Sequence, residues 1–217
     1  MKKSIAILGA GKYGSALARA LYGLGQDVLV VDSNEQVIKD IADDVTSAVC
    51  ADLESEDELE AVGIQNMDIV VTTMSGNLSA SILSVSLAKE MKVPLIISKA
   101  SSPRMASILK RVGADKIIDP EEDGGMRSAR ILASRYINDY FEIDNNLCMV
   151  EITPKKEWIG QSLSELNLRK KHNLNVAAIK EENKNWSYVD PTKAIKEGNK
   201  LLVIIEIKDL NRLDQHG

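Results

Sequence analysis

The sequence is poor in aromatic residues, which make up 4% of it with a single Phe. That excludes a base-stacking platform for single-stranded nucleic acid. It also lacks a basic excess. Its 27 Lys and Arg stand against 32 Asp and Glu, and the net charge of -5 has the wrong sign for a DNA or RNA footprint. Cysteine is scarce. Cys50 and Cys148 both lie in apolar, strand-like stretches, which argues against a disulfide framework or zinc site and fits a reducing cytosol. The two histidines, His172 and His216, fall late in the chain, and no Ser/His/Asp or metal-ligand constellation forms around them. No apolar run reaches the ~18 residues of a membrane span. Met1-Lys2-Lys3 imitates the head of a signal peptide, but the apolar run that follows breaks at Gly9, Gly11 and Gly14, so none is expected. A soluble chain of this kind reaches a membrane only through a partner.

What is present suits a globular protein. Hydrophobic residues make up 44% of 217 and charged residues 27%, enough to bury a core. The length allows a medium domain and a small one, and is short for a cofactor domain plus a substrate domain. Charge is unevenly spread. Residues 1–144 hold 15 Lys and Arg against 22 Asp and Glu, a net of -7, whereas residues 145–217 carry a net of +2.

Short Val- and Ile-rich runs alternate with helical stretches over the first two thirds. The predicted strands are Ser4–Leu8, Asp27–Val31, Thr46–Cys50, Asp68–Thr73, Leu95–Ser98 and Lys116–Ile118. The predicted helices are Lys12–Leu24, Asn34–Ala42, Glu56–Val62, Asn77–Met91 and Pro103–Val112. The fold class this implies is α/β, a Rossmann-type doubly wound parallel sheet. A further helix is expected from about Gly125 to Phe141. There Ala129, Leu132, Ala133, Tyr136, Ile137, Tyr140 and Phe141 recur at three- and four-residue spacing. It packs either on its own sheet or, as a crossover helix, on a second subunit, with the acidic turn Asp119–Gly125 as a hinge. Asp144-Asn145-Asn146 marks a boundary. Beyond it Leu147–Ile152, Asn175–Lys180, Trp186–Val189 and Leu201–Ile207 read as strands, and Ser162–Asn167 and Lys208–Leu213 as short helices. This is a small α+β module, of a size that gains stability by pairing. The expected domains are 1–123, a linker with the crossover helix over 124–144, and 145–217.

Gly9-Ala10-Gly11-Lys12-Tyr13-Gly14 is a GxGxxG directly after the first strand, opening the first helix. Gly9 permits the tight turn, Gly11 lets a pyrophosphate approach the backbone, and Gly14 lets helix and strand pack closely. The helix start offers N–H groups and a partial positive charge. Asp32 ends the second strand, where an acid accepts hydrogen bonds from ribose hydroxyls; Ser33 and Asn34 follow it. Strand, motif, helix and acid together point to an adenine nucleotide. Lys12 either reaches a terminal phosphate or is a solvated helix-start lysine. Asp52 with Leu53, Ser75-Gly76-Asn77 and Lys99 follow the third, fourth and fifth strands, where ligands of such sheets bind; Asn77 would equally cap its helix. No proton donor or acceptor accompanies the nucleotide site. A ligand sensor is therefore favoured over a small NAD-dependent oxidoreductase or a stand-alone cyclic-dinucleotide binding module.

These residues resemble a known family. GAGKYGSALARALYGLGQDVLVVDSNEQVI, SAVCADLESEDEL, VVTTMSGNLSASI, ISKASSP and VGADKIIDPEEDGGMR are similar to an RCK (regulator of potassium conductance) N-terminal domain, and IGQSLSELNLRKKHNLNVAAIK with IKEGNKLLVI to its C-terminal domain. The resemblance is to the cytosolic regulatory subunits of Ktr and Trk potassium-uptake systems, the KtrA/TrkA type. It implies dimers assembling to an octameric ring at the inner face of the membrane, bound to a membrane potassium-translocating subunit, with no nucleic acid and no direct membrane insertion. It implies ATP, ADP or NAD(H) over Gly9, Gly11, Lys12, Tyr13, Gly14, Asp32, Ser33, Asn34, Asp52, Leu53, Asn77 and Lys99. Lys12 stands where relatives carry an Arg that reaches a neighbour's γ-phosphate. Leu53-Glu54 replaces a small residue and a hydroxyl, which implies an altered adenine pocket. Glu121 matches an acid that helps hold Mg²⁺, Ca²⁺ or Na⁺ beside the intersubunit nucleotide. Arg169 and Asn175 match a region that binds cyclic di-AMP in responsive relatives; a basic solvated loop is the alternative there.

Overall fold

The computed structural model describes residues 2–74 and 76–214. Ser75 and His216, both named above, lie outside the described residues. Contacts divide the chain into two compact units, 1–121 and 122–217.

In the first unit β1 (Ser4–Leu8), β2 (Asp27–Asp32), β3 (Ser47–Cys50), β4 (Ile69–Thr72), β5 (Leu95–Lys99) and β6 (Lys116–Ile118) form one parallel sheet. Its order is β3-β2-β1-β4-β5-β6, so strand order reverses between β1 and β4. The connecting helices are α1 (Lys12–Gly23), α2 (Glu35–Ile41), α3 (Glu56–Ala61), α4 (Leu78–Glu90) and α5 (Pro103–Val112). Successive side chains of a strand point to opposite faces, and here both faces are covered. Ile5, Ile7, Val28 and Val30 pack with Ala18, Ile38 and Ile41 on one face. Ala6, Leu8, Val31, Val70 and Ile96 pack with Val85 and Leu109 on the other. That double burial is why these strands read as continuous apolar runs. The doubly wound sheet expected from the sequence is present, with element ends shifted by one or two residues.

The second unit is built on the antiparallel sheet β10-β9-β11-β8-β7. Its strands are β7 (Ile137–Glu142), β8 (Leu147–Ile152), β9 (Asn175–Lys180), β10 (Trp186–Tyr188) and β11 (Lys200–Glu206). Cys148, Val150 and Ile152 alternate inward from β8, and Leu201, Val203 and Ile205 from β11. They pack on Trp158, Leu166, Leu168, Leu174 and Leu210. Two short helices, α7 (Leu163–Leu166) and α8 (Leu168–His172), follow a capping box. In it Ser162 accepts the Glu165 N–H, and Glu165 accepts the Ser162 N–H at 2.7 Å.

One expectation is corrected. The helix is not 125–141. Helix α6 spans Pro120–Ala133, and the chain re-emerges as strand β7 paired antiparallel with β8. Pro120 suits a first helical turn, so the acidic segment expected as a hinge is the start of the helix. Ser134 ends it: its hydroxyl accepts the N–H groups of Tyr136 at 3.2 Å and Ile137 at 3.3 Å. The apolar spacing misled because the β7/β8 register shifts between Ile137 and Asp139. That irregularity brings both Ile137 and Tyr140 inward, three apart, which imitates a helical stripe. No residue of α6 is buried.

Candidate nucleotide site

The C-terminal ends of β1 and β2 place the glycine loop beside Asp32. Gly9 has φ of 97°, and a Cβ built on it would lie 2.7 Å from Met74 Cγ. A Cβ on Gly14 would lie 2.1 Å from the Gly9 carbonyl oxygen. Both positions are therefore glycine because the protein itself leaves no room. Gly11 differs. Its φ is -63° and its ψ -175°, open to any residue, and a Cβ there meets nothing within 4 Å.

Asp32 braces the loop. Its Oδ2 accepts the Ala10 N–H at 2.6 Å and its Oδ1 the Asn34 N–H at 2.8 Å. Thr73, which the sequence reading passed over, closes the loop from β4: its hydroxyl donates to the Gly9 carbonyl at 2.7 Å while its N–H donates to Leu8. The only signal for it was a hydroxyl residue at the end of a strand facing the motif.

Helices α2, α3, α4 and α5 are capped by Asn34, Ser55, Asn77 and Ser102. The N-cap of α1 is Gly11, which has no side chain to offer, and no acid stands in its first turn. The first N–H groups of α1 therefore have no side-chain cap, and with the helix dipole they could accept an anion. Lys12 is exposed at this helix start and Tyr13 is half-buried.

The remaining expected residues fall around the same end of the sheet. Ser33 and Asn34 continue from Asp32; the Ser33 carbonyl accepts the exposed Cys50 thiol at 3.5 Å, and Asn34 caps α2. Asp52 accepts the Glu54 N–H at 2.9 Å. Leu53 is buried in the core with its carbonyl accepting the Ser84 hydroxyl, so it supports the loop from beneath. Asn77 caps α4 and donates its amide to Glu54 at 2.9 Å. Lys99 is 5% exposed at the end of β5, 5.7 Å from the centre of the Tyr13 ring, and pairs with Glu121 at 2.5 Å. That hydrogen bond from Lys99 holds the Glu121 carboxyl below the usual glutamate range. Among the described residues no group of three or more His, Cys, Asp and Glu is placed to hold a metal ion.

Arg169 and Asn175 belong to the second unit. Arg169 is exposed on α8 and Asn175 is exposed at the start of β9. His172, at the end of α8, has its ring 6.5 Å from that of Trp158. Among the described residues no helix is long and apolar enough to cross a membrane.

Comparison with known proteins agrees with this arrangement. A model of the TrkA-N domain matches residues 5–120, and one of the TrkA-C domain matches residues 147–216. The Ktr system potassium uptake protein A of Bacillus subtilis (strain 168) is 31% identical over 215 residues, 99% of this chain and 97% of that protein. The Ktr system potassium uptake protein C of the same organism is likewise 31% identical over 215 residues, with the same coverage. Protein A of Vibrio alginolyticus is 30% identical over 93% of this chain and 92% of its own length. Among solved structures, the GsuK RCK domain has a TM-score of 0.66 at 17% identity, a likeness of fold. It covers 99% of this chain, which in turn spans about half, 47%, of that one. With both domain models matched in order and full-length identity above 30%, the chain belongs to the TrkA-N/TrkA-C family of Ktr and Trk potassium-uptake proteins.

Proposed function

We propose that this protein is a regulatory subunit that gates a membrane potassium transporter by binding an adenine nucleotide, and that it is not an enzyme. The observation that carries the nucleotide is Gly11. Sterics of the fold explain Gly9 and Gly14 but not Gly11, and an open glycine capping α1 lets a phosphate approach the helix's first N–H groups. The Asp32 carboxylate, half-exposed beside it, suits ribose hydroxyls. The names of the full-length relatives, Ktr system potassium uptake proteins, support the transporter as partner. ATP, ADP or NAD(H) would lie over Gly9–Gly14, with the adenosine end toward Asp32, Ser33, Asn34, Asp52 and Asn77. Residues 1–121 carry this site, and 122–217, which include α6 and the sheet that β7 joins, form a second sensing module.

The mechanism is allosteric. Nucleotides that differ in their phosphates favour different arrangements of paired subunits in a ring, and the ring sets the gate at the cytoplasmic face. Coupling of this kind is typically ~1–3 kcal/mol per site. Octamers fit the reading, with helix α6, none of whose residues is buried and whose Met126 and Leu132 are exposed, available to a second copy. Glu121 would supply one oxygen to Mg²⁺, Ca²⁺ or Na⁺, with phosphates supplying others. Exposed Arg169 and Asn175, beside Lys170 and Lys171, would take the phosphate and base of cyclic di-AMP.

The test is equilibrium binding of ATP, ADP, NADH and cyclic di-AMP to the full chain, with mass measurement of the assembly, followed by potassium flux in vesicles containing a Ktr-type membrane subunit. Micromolar adenine-nucleotide binding and nucleotide-dependent flux are expected. Absence of nucleotide binding, or sustained NADH oxidation with a simple carbonyl substrate, would overturn the proposal.

A further inference from the structure

We propose that Glu54 selects the base of the bound nucleotide, by accepting a hydrogen bond from its exocyclic amino group. The inference rests on the nucleotide reading above and adds to it a residue and a chemical preference.

The placement follows from topology. In the sheet, β3 and β4 flank β2 and β1, whose ends carry Asp32 and the glycine loop. The chain leaving β3 runs against Asp32, since the Ala51 N–H donates to the Asp32 carbonyl at 3.2 Å. If Asp32 holds a ribose and the phosphates lie over α1, the base lies on the far side of Asp32 from the glycine loop. That is where residues 52–54 pass.

This segment is anchored. Leu53 is 5% exposed, and its carbonyl accepts the buried Ser84 hydroxyl at 2.9 Å. The Asp52 N–H donates to Glu58 at 2.7 Å. The Glu54 N–H is taken by Asp52. The side chain of Glu54 is then held from the opposite side, by α4. Its Oε1 accepts the Asn77 amide at 2.9 Å and its Oε2 accepts the Ser79 hydroxyl at 3.1 Å. Asn77 has no alternative orientation, because its own Oδ1 caps α4 by accepting the Ala80 N–H at 3.1 Å. The result is a clasp from the end of β3 to the start of α4 that fixes a carboxylate on the segment that would border the base.

An ionised carboxylate only accepts, and its two oxygens offer about four lone-pair positions. Asn77 and Ser79 use two. Those left over favour a ligand that brings a donor and disfavour one that brings a carbonyl or nothing. A 6-aminopurine satisfies the first condition.

The probe pair is ATP and the triphosphate of purine riboside, which differs only by hydrogen in place of the 6-amino group. The full chain should bind ATP about tenfold more tightly, as expected for one charge-assisted hydrogen bond near solvent. In Glu54→Ala the ratio should fall to about one. In Glu54→Gln, whose amide oxygen keeps a free lone pair beside Asn77 but carries no charge, it should fall severalfold with the clasp retained. A ratio unchanged in Glu54→Ala, or a ratio of about one in the unmodified protein while ATP binds, overturns the role of Glu54 and leaves the nucleotide reading standing. Failure of the unmodified protein to bind either triphosphate overturns that reading as well. A purely structural clasp would lower both affinities together and leave the ratio unmoved, which also overturns the selection proposed.

Discussion

Replacing Gly11 by alanine separates what the fold needs from what the ligand needs. The new Cβ meets no protein atom within 4 Å, and the backbone there is open to any residue. Two small stability effects oppose each other. Alanine is a poorer N-cap than glycine, but it reduces the freedom of the unfolded chain by about 0.4–1 kcal/mol. The net change is expected to stay within about 1 kcal/mol, a shift of no more than about 4 °C in Tm for a chain of this size. Binding responds differently. A methyl group at the closest approach of the phosphates displaces them from the first N–H groups of α1. Losing one charge-assisted hydrogen bond of about 1.5–3 kcal/mol weakens ATP by about 10- to 150-fold. Gly14→Ala is the control of opposite kind. Its Cβ would stand 2.1 Å from the Gly9 carbonyl oxygen, so the loop must shift and stability should drop by about 1–3 kcal/mol. Isothermal calorimetry with ATP and thermal melting on the same preparations read both quantities. A Gly11→Ala protein that binds ATP as tightly as the parent would refute the placement of phosphates over α1.

Other outcomes are equally direct. Asp32→Ala removes the acceptor of the Ala10 and Asn34 N–H groups along with the ribose acid, so every nucleotide with free ribose hydroxyls should bind at least about tenfold more weakly, as dialysis would show. Thr73→Val keeps the shape but leaves the Gly9 carbonyl without its hydroxyl donor, at a cost of about 1–3 kcal/mol in urea unfolding. Glu121 has a lowered folded pKa because Lys99 donates to it. Its contribution to stability is therefore present above the ordinary glutamate value and is lost as pH falls through the lowered one. In Lys99→Met the carboxyl should titrate higher, visible by carbon NMR; an unmoved titration would remove the pair from the account.

The first unit was legible because its signals agree. Apolar runs are bounded by turn residues, helices start at Asn34, Ser55, Asn77 and Ser102, and the glycine loop follows the first strand. What could not be read there were contacts between segments distant in sequence. Thr73 closing on Gly9 spans 64 positions, and Glu54 reaching Asn77 spans 23. No local pattern encodes such pairs. The second unit was harder. Its strand β7 carries Ile137 and Tyr140 on one side through a break in register, so period two was replaced by a spacing that belongs to helices. Gly124 and Gly125 compounded the error. Glycine disfavours a helix by about 1 kcal/mol relative to alanine, yet both stand inside α6.

The two cysteines sit in opposite environments. Cys148 is fully buried in the second sheet, and burial pushes its thiol up to about 11, where it is inert to mild alkylation. Cys50 is exposed, in register with Asp32. A maleimide dye added to the unaltered protein should therefore attach at one place, next to Asp32. The native sequence already contains a specific attachment point for a fluorescent reporter of crevice occupancy, with no engineered cysteine needed.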